Sequence, residues 1–460
     1  MTHMKTRILS VLMLGAFGLQ AQVPNTLTSE EKVFGLSKFW QEVNYNFVYL
    51  EKIDRAAWDS TYKSLIGTIQ KTENDYEYYR ELQRFCALLK DGHTNIFFPG
   101  PVGRQLWNTM FGDYRIFLSN IENKAIITRV NASKKDEIPV GSEIIEVNGL
   151  ATQTYLDRFV SPYISSSTDY VLRDLAVGQL LQGLPGDRYS VKLRTPQGSV
   201  KQLELVHART TEEAVFPPFE TRKLLDFRWI DGGIAYVALN SFENRAIDSL
   251  FVQRLPELSR AAALIVDLRN NGGGSTGIGT AILQYLTNDR LLYGSRQVTR
   301  LHMPAYKAWG RFVEPKDTAS DAHARKSYLH FKDQVYYTFD AEPDSNKAGA
   351  LRVVVPTALL IGHNTASAAE DFLICADRML HMVRIGENSF GSTGQPFMFS
   401  LPGGGNARIC TKKDTFPDGR EFVGVGVVPH IEVKKTLRDF RRNTDPVLAR
   451  AVEYLRSKLR

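Results

Sequence analysis

Ser367 is placed where a hydroxyl group could act as a nucleophile. It lies in residues 362–370, which follow an apolar run and open a helical pattern. At a helix N-terminus, unpaired backbone N–H groups and the helix dipole favour negative charge, which suits a serine whose attack creates an oxyanion. A serine at such a position is also a common N-cap, a structural role worth about 1 kcal/mol. The position of Ser367 alone therefore leaves both functions open.

A glycine-rich segment could supply the matching anion site. Residues 267–274 read Asp-Leu-Arg-Asn-Asn-Gly-Gly-Gly and follow a predicted buried strand. Adjacent glycines let backbone N–H groups converge on an anion, as an oxyanion hole requires. Gly272, Gly274 and Gly277 also satisfy G-x-G-x-x-G, but four residues separate the strand from the first glycine, which is atypical of dinucleotide binding. A plain tight turn is the structural alternative.

A serine nucleophile also needs a base within hydrogen-bond reach, and histidine or lysine usually supplies it. His93 follows a predicted helix end and is flanked by Gly92 and Thr94, so that it is either this base or a surface loop residue. His363, four residues before the serine, is a weaker candidate. Glu370 lies one helical turn beyond Ser367 and either bears on the site or is a helix-surface carboxylate.

Composition indicates an ordinary globular protein. Of 460 residues, 43% are hydrophobic and 23% charged, which excludes disorder and suggests two to four domains. The net charge of +7 comes without any Lys/Arg run, so nucleic-acid binding receives little support. The three cysteines are far apart in sequence and do not form a C-x-x-C metal-binding motif. One pair could form a disulfide bond, but buried free thiols are the better interpretation.

The N-terminus resembles a secretory signal. Lys5 and Arg7 precede an apolar run over residues 8–19, and Ala21 provides the small residue that signal peptidase prefers. The run is shorter than the roughly 20 residues that a membrane anchor requires. We therefore predict that residues 1–21 are a signal peptide and that the protein is exported, to the periplasm or outside the cell, without a stable membrane anchor.

The rest of the chain is predicted to be a multi-domain α/β protein. Helical apolar spacing predicts a helical subdomain over residues 26–98, and alternation predicts a β-rich module over residues 105–208. Alternating strands and helices over residues 222–435 predict a core with a mainly parallel sheet covered on both faces. Residues 436–460 are predicted to form a C-terminal helix. Residues 300–345 are polar and poorly periodic, and we expect a surface excursion there.

Several segments, in this order, resemble the tail-specific (C-terminal-processing) serine protease family, which includes the tricorn protease core and the retinoid-binding repeats of the eye. The matching stretches are residues 89–94, 266–274, 364–370, 385–396 and 424–429. The glycine segment and Thr-Ala-Ser-Ala-Ala-Glu are the specific pair. The resemblance implies a crotonase/ClpP-like α/β core.

The resemblance also implies a PDZ-like domain, the family's substrate-docking part, within the β-rich module. Residues 140–149 are similar to a PDZ strand and turn, so Gly141, Ile144 and Ile145 become candidate substrate-binding residues. A PDZ domain binds an extended peptide at a sheet edge and holds its terminal carboxylate with backbone N–H groups. The alternative to a PDZ domain is an ordinary β-hairpin without a docking role.

Departures from the family pattern select one mechanistic branch. Ser392 occupies the position of the lysine in the Ser–Lys branch, so that dyad is absent. His93 fits the tricorn-like branch, in which a neighbouring hydroxyl and a late glutamate orient the histidine. Here Gly92 precedes the histidine and Val423 stands where the glutamate is expected. Glu421, two residues away, is the alternative orienting group.

Together these observations predict a secreted serine endopeptidase that acts on protein or peptide substrates. In this hypothesis Ser367 is the nucleophile, His93 is the base, and the N–H groups of Gly273, Gly274 and Ala368 form the oxyanion hole. No metal or organic cofactor is implied. The rival is a catalytically weak or inactive member that binds peptide or lipid, and an acyl-transfer enzyme is a third alternative supported by fold analogy alone.

Overall fold

The computed structural model describes residues 23–230, 233–340 and 342–459. The predicted signal peptide, residues 1–21, lies outside the described residues. The protein is a multi-domain α/β structure with a helical N-terminal region and several sheets. Over the same described ranges, no helix is long and apolar enough to span a membrane.

The α-helices carry sequence-order labels. They are α1 (Ser29–Asn46), α2 (Arg55–Ile69), α3 (Asp75–Ala87), α4 (Gly100–Gly103), α5 (Thr152–Tyr155), α6 (Asp169–Gly178), α7 (Ala246–Leu258), α8 (Thr276–Gln284), α9 (Pro304–Gly310), α10 (Ala322–Phe331), α11 (Ala368–Ala376), α12 (Leu437–Arg442) and α13 (Pro446–Lys458).

The strands are β1 (Asn95–Phe97), β2 (Met110–Phe111), β3 (Tyr114–Ile121), β4 (Lys124–Asn131), β5 (Glu143–Val147), β6 (Leu150–Ala151), β7 (Arg188–Arg194), β8 (Val200–Val206), β9 (Val215–Phe216), β10 (Leu225–Ile230), β11 (Ile234–Leu239), β12 (Ala263–Asp267), β13 (Leu291–Leu292), β14 (Arg296–Arg300), β15 (Tyr336–Thr338), β16 (Asp344–Ser345), β17 (Thr357–Ile361), β18 (Met382–Gly386), β19 (Pro396–Ser400), β20 (Asn406–Cys410), β21 (Lys412–Thr415) and β22 (Ile431–Glu432).

The N-terminal helices α1 to α3 form where helical periodicity predicts them. Thr28 and Glu31 cap α1 reciprocally, because each side chain accepts a hydrogen bond from the other residue's backbone N–H. Trp58 and Phe85 stack at 3.8 Å in the shared core. Residues of β19 and β20 belong to the same hydrophobic cluster, and β1 pairs with β20. The helical region is thus packed against a late part of the chain.

The β-rich module forms one sheet in the order β2-β3-β4-β5-β7-β8. Strands β4, β5, β7 and β8 lie where alternation predicts them, whereas β3 and helix α6 were not predicted. Its core is closed by residues from α6 and from the segment around Leu156. The module therefore has its own hydrophobic core.

The central sheet has the order β10-β11-β12-β17-β18-β22, with only the β10–β11 pair antiparallel. Alternate residues of its strands belong to two different clusters. Val237 and Val266 pack with α7, α8 and α11, whereas Tyr236 and Ile265 pack with α13. This confirms the predicted mainly parallel sheet covered on both faces.

One prediction about local structure is confirmed in part and another is wrong. Residues 300–345 are mostly exposed, as a surface excursion requires, but they are regularly folded: they contain α9 and α10, and β15 forms a sheet with β14 and β21. The predicted C-terminal helix is two helices, because Asn443 takes a left-handed conformation at the end of α12 and Pro446 begins α13. All three cysteines are free and buried, as predicted.

Candidate active site

Three neighbouring parallel strands end at the same edge of the central sheet and carry the candidate loops. The glycine loop follows β12, the Ser367 loop follows β17, and residues 387–395 follow β18. Ligand sites in open α/β sheets lie beyond the carboxyl ends of such strands. The sheet topology therefore gathers three loops that are separate in sequence, the glycine loop lying about 90 residues before the Ser367 loop.

Ser367 has a strained backbone at the start of α11. Its φ of 55° and ψ of −122° lie in a region that residues with a side chain rarely adopt. The Glu370 carboxylate accepts a hydrogen bond from the Ser367 N–H at 3.0 Å, which holds this conformation. The strained serine lies at a sharp turn between a partly exposed loop and the buried helix α11, a geometry typical of nucleophiles on strand-to-helix turns.

His93 is brought to Ser367 across 274 residues of sequence. His93 Nε2 lies 3.3 Å from the Ser367 hydroxyl oxygen, and His93 Nδ1 lies 2.7 Å from the Ser392 hydroxyl oxygen. Burial, followed by the positive charges of Arg408 and Lys412, lowers the pKa of His93 to about 4. The imidazole is therefore neutral at neutral pH, the form that can accept a proton from a hydroxyl.

The loop that carries His93 is fixed by buried hydrogen bonds. The Thr94 hydroxyl donates to Asp91 Oδ2 at 2.6 Å, and the Gly92 N–H donates to the Ser167 hydroxyl at 2.9 Å. The Ser165 hydroxyl donates to the Asp91 carbonyl at 2.8 Å. Burial raises the pKa of Asp91. Ser165 and Ser167, which precede α6 in the β-rich module, thus hold the histidine loop in place.

Glu370 is fully buried, so its interpretation as a helix-surface carboxylate is wrong. Besides the Ser367 N–H, it accepts hydrogen bonds from the Ser389 hydroxyl at 2.5 Å, the Gly391 N–H at 2.7 Å and the Ser392 N–H at 3.3 Å. Burial raises its pKa to about 8, while these four donors oppose the shift. Because all four partners donate, Glu370 ties the Ser367 turn to the loop that carries Ser392.

Ser392 is the site residue that the sequence did not reveal. The sequence indicated only that it replaces a lysine, whereas the structure places its hydroxyl against His93 Nδ1. Neither expected orienting group reaches the histidine within hydrogen-bond distance. Glu421 pairs with Lys413, and Val423 packs against hydrophobic clusters. A hydroxyl contact across 299 residues carries no local sequence signal.

The glycine loop lies directly against Ser367, but its N–H groups differ in availability. A Cβ on Gly273 would meet the Ser367 Cβ at 2.7 Å, so only glycine fits there. The Gly273 N–H donates to Asn271 Oδ1 at 3.0 Å and is already engaged. The N–H groups of Gly274 and Ala368 have no hydrogen-bond acceptor among the described residues.

Gly274 is oriented by a short ladder with Phe242. The Phe242 N–H donates to the Gly273 carbonyl and the Ser275 N–H donates to the Phe242 carbonyl, both at 2.9 Å. In such a parallel bridge the N–H of the residue between, Gly274, points away from Phe242. The free amide of Gly274 therefore faces the other side of the loop.

His363 does not approach Ser367 as a base within the described hydrogen bonds. Its Nδ1 lies 2.6 Å from Asp174 Oδ2 on α6, and its ring lies 4.5 Å from the ring of Tyr170. Although burial opposes it, the Asp174 contact together with the charge of Glu387 raises the pKa of His363. His363 thus links the nucleophile loop to the β-rich module.

The candidate docking residues of β5 are not arranged as predicted. Strand β5 pairs with β4 and β6 along one side and with β7 along the other, which leaves it no free edge. Ile144 is buried in the module core, and Ile145 lies at a register shift. Gly141 donates its N–H to the Ile127 carbonyl and accepts from Arg441 through its own carbonyl. A peptide cannot add to this strand without displacing those partners.

No group of three or more His, Cys, Asp or Glu side chains that could hold a metal ion occurs within residues 23–230, 233–340 and 342–459. The chemistry available at the site is that of a hydroxyl, an imidazole and backbone amides. That set is sufficient for acyl transfer through a covalent intermediate.

Comparisons with known proteins identify a peptidase family and similar folds. Residues 233–433 match the model of peptidase family S41. The structure of mature CPAF complexed with lactacystin is similar, with a TM-score of 0.66 at 16% identity over 94% of this chain and 98% of that chain. The crystal structure of a CPAF mutant gives a TM-score of 0.67 at 16% identity over 94% and 96%.

The photosystem II D1 C-terminal processing protease covers 88% of this chain and 93% of its own at 18% identity, with a TM-score of only 0.45. At these identities the likeness to solved structures concerns the fold. No curated protein matches the chain.

Proposed function

The chain carries a serine-type peptidase domain of family S41 over residues 233–433, and we propose that Ser367 is its nucleophile and His93 its general base. The observation that carries the proposal is the 3.3 Å contact between His93 Nε2 and the Ser367 hydroxyl oxygen. Distances of this size before substrate binds are usual for a nucleophile and its base.

In this mechanism the Ser367 oxygen attacks the scissile carbonyl carbon while His93 Nε2 takes the hydroxyl proton. Throughout, His93 Nδ1–H donates to the Ser392 oxygen, which fixes the tautomer whose Nε2 is free to accept. The proton that Nε2 took from Ser367 passes to the leaving amine. Water activated by His93 then hydrolyses the acyl-enzyme. Glu370 acts by positioning, because it contacts the backbone of Ser367 rather than its hydroxyl.

The oxyanion hole is best supplied by the amides of Gly274 and Ala368. Both lack an acceptor among the described residues, whereas the Gly273 N–H is held by Asn271. Gly273 contributes instead by allowing the loop to approach Ser367, where a side chain would clash. Losing one oxyanion donor costs roughly 100- to 1,000-fold in rate.

We further propose that the β-rich module is a PDZ-like domain that docks polypeptide substrates, although not at β5. Strand β3 pairs with β4 along its length but with β2 only at Tyr114 and Arg115. The Ile116 N–H donates to the Thr109 carbonyl, but within the described residues segment 117–121 has no strand partner on the outer side, and α6 packs next to β3. An extended peptide could add to this edge with its side chains against α6. Residues 1–21 would direct export.

The test uses residues 22–460, an unfolded fluorescent casein, and the variants Ser367→Ala and His93→Ala. Both variants should lower kcat/KM by about 10⁴-fold or more, as the removal of one residue from a serine protease's catalytic group does. His323→Ala, at an exposed position on α10, is the matched control and should retain at least half of the activity. Equal cleavage by wild type and both variants would refute the assignment. Stoichiometric peptide binding without fluorophosphonate labelling of Ser367 would favour the binding-protein alternative.

A further inference from the structure

The hairpin formed by α9 and α10 exposes large apolar side chains. Phe312 is 87% exposed and Trp309 is 51% exposed, while Leu301 and Met303, just before α9, are 39% and 37% exposed. Single exposed apolar residues are ordinary on a protein surface, but a group of them marks a site of interaction. These four residues lie within one short segment, residues 301–312, and we call them the hairpin patch.

The packing of the hairpin fixes the orientation of Trp309 and Phe312. Gly310, at the end of α9, lies so close to α10 that a Cβ there would overlap the Ser327 carbonyl. The Phe312 N–H donates to the Trp309 carbonyl at 3.1 Å. The Val313 N–H donates to the Gly310 carbonyl at 3.2 Å. Such bonds between residues three apart are those of a 3₁₀ turn, in which side chains at i and i+3 lie one above the other. Trp309 and Phe312 therefore face the same side of the hairpin.

Basic side chains lie next to these aromatic rings. Lys326 Nζ lies 4.2 Å from the centre of the Tyr306 ring, and that ring lies 5.2 Å from the Trp309 ring. Arg311 comes directly before Phe312 in sequence and is exposed. Among the described residues, neither Lys326 nor Arg311 forms an ion pair with a carboxylate. The same is true of three further basic residues of the hairpin, which are Lys316, Arg325 and Lys332.

The acidic residues of the hairpin offset only part of this charge. Residues 300–333 contain seven Lys and Arg residues and four Asp and Glu residues, which leaves a net charge of +3. Asp333 lies 2.7 Å from Lys307 Nζ and 3.6 Å from Arg300 Nη2, so two basic side chains share it. The Asp321 carboxylate accepts hydrogen bonds from backbone N–H groups at the start of α10. The hairpin is thus a basic surface that also carries exposed apolar side chains.

This combination matches the surface of an anionic bilayer better than it matches a second copy of the chain. Aromatic side chains enter the boundary between lipid headgroups and acyl chains, while Lys and Arg side chains bind anionic headgroups. A twofold dimer uses the same surface on both subunits, so a dimer through this patch would place its positive charges opposite each other. Charge repulsion opposes that dimer, whereas charge complementarity favours the bilayer.

We propose that the hairpin patch docks the protein reversibly on bilayers that contain anionic phospholipids. Trp309 and Phe312 insert among the headgroups, and Arg311 and Lys326 bind the lipid phosphates. The contact goes beyond the proposed peptidase chemistry, because it does not require Ser367.

Binding is measured by co-sedimentation of residues 22–460 with vesicles of phosphatidylcholine, either pure or with about 30% phosphatidylglycerol. This chain lacks the apolar run over residues 8–19, which would itself bind lipid. The chain should bind the anionic vesicles at least about tenfold more tightly than the neutral ones. Raising the salt to about 0.5 M NaCl should remove most of that difference, because salt screens exposed charges.

Phe312→Ser tests the apolar part of the contact. It should weaken binding to the anionic vesicles by about tenfold or more, the effect of removing one aromatic ring that becomes buried. Because Phe312 is 87% exposed, its replacement removes little packing within the folded protein. Leu380→Ser is the matched control, since Leu380 is fully exposed but lies outside the hairpin, and it should leave binding unchanged.

The double variant Arg311→Gln with Lys326→Gln tests the charged part. It should weaken binding to the anionic vesicles by about 25-fold, or about fivefold for each charge, and leave binding to neutral vesicles unchanged. Its control is Arg456→Gln with Lys458→Gln, which removes two exposed basic residues of α13 that form no ion pair with a described carboxylate. This control should bind like the wild type.

Three results would overturn the proposal. They are equal binding to anionic and neutral vesicles, unchanged binding of a folded Phe312→Ser protein, and a wild-type dimer in analytical ultracentrifugation that Phe312→Ser dissociates. The last result would assign the patch to a second copy of the chain. The comparison of vesicles uses the wild-type sequence, so it decides the matter even where a variant misfolds. All of these outcomes are independent of whether the peptidase mechanism is right.

Discussion

His93 Nδ1 lies 2.7 Å from the hydroxyl oxygen of Ser392. In many serine hydrolases a carboxylate occupies this side of the histidine and stabilises the imidazolium that forms during attack. Here the Glu370 carboxyl group binds the Ser392 backbone N–H rather than the histidine. The proposed base is thus oriented by a neutral hydroxyl, with the Glu370 carboxyl group behind that hydroxyl residue.

Replacing Ser392 with alanine should lower kcat and leave KM unchanged. A hydrogen bond to a charged group contributes about 1.5–3 kcal/mol, so kcat should fall about 10- to 100-fold. Steady-state kinetics on a fluorogenic peptide measure both constants. Ser457→Ala, at the exposed end of α13, is the control. A Ser392→Ala protein with wild-type kcat would show that the hydroxyl does not orient His93.

Activity should persist at unusually low pH. Neutral His93 is the active base, and its pKa is lowered to about 4, so kcat/KM should rise with pH up to about 4 and then stay level until the pH approaches 8, where Glu370 titrates. An unperturbed histidine titrates near pH 6.5. The pH profile of kcat/KM between pH 3 and 8 tests this, with circular dichroism to confirm folding at each pH. A midpoint near 6.5 would contradict the burial argument.

The same profile should respond to Arg408. This guanidinium is the charge that contributes most to the low pKa of His93, after burial. Removing it in Arg408→Gln takes away a repulsion of the imidazolium, so the midpoint of the acid limb should move upward. Lys458→Gln, at the far end of α13, should not move it. A midpoint that moves downward would show that the sign of this interaction is wrong.

Glu370→Gln should destabilise the protein and disturb the site together. The new side-chain NH₂ group would face N–H donors that now bind the Glu370 carboxyl oxygens, so buried hydrogen bonds would be lost and a donor would be left unpaired. We expect the free energy of unfolding to fall by about 2–3 kcal/mol and kcat to fall at least tenfold. Urea unfolding measures the first. Glu453→Gln, at an exposed carboxylate, should stay within about 0.5 kcal/mol of wild type.

Local patterns predicted the elements better than the contacts between them. Apolar periodicity located α1 to α3 and β12, because burial of one face or of a whole strand leaves a sequence signal. It missed β3, because only one of its eight residues, Ile116, is buried and no alternation of buried and exposed positions marks the strand. It also predicted a single C-terminal helix, since periodicity continues across the left-handed break at Asn443.

For the site, the sequence predicted residue types but not partners. Ser367 and His93 lie together as a serine nucleophile requires, yet the family resemblance, not spacing, paired them. The burial of Glu370 and the capture of the Gly273 N–H by Asn271 depend on how loops close over the sheet edge. Such long-range hydrogen bonds have no period in sequence, which is why Ser392 was interpreted only as an absent lysine.

Gly92→Ser tests whether a family-like hydroxyl before the histidine can replace Ser392. The family pattern suggests that it should raise activity, but a Cβ at Gly92 would lie 2.6 Å from Phe390 Cε1 and 3.0 Å from Ser392 Cβ. Overpacking of this kind costs about 1–3 kcal/mol and here would push the His93 loop away from Ser392. We therefore expect kcat to fall, with a lower melting temperature. Gly67→Ser, where a Cβ meets nothing within 4 Å, is the control. Higher activity in Gly92→Ser would mean that the loop yields and that the close packing of Gly92 against Ser392 does not position the histidine.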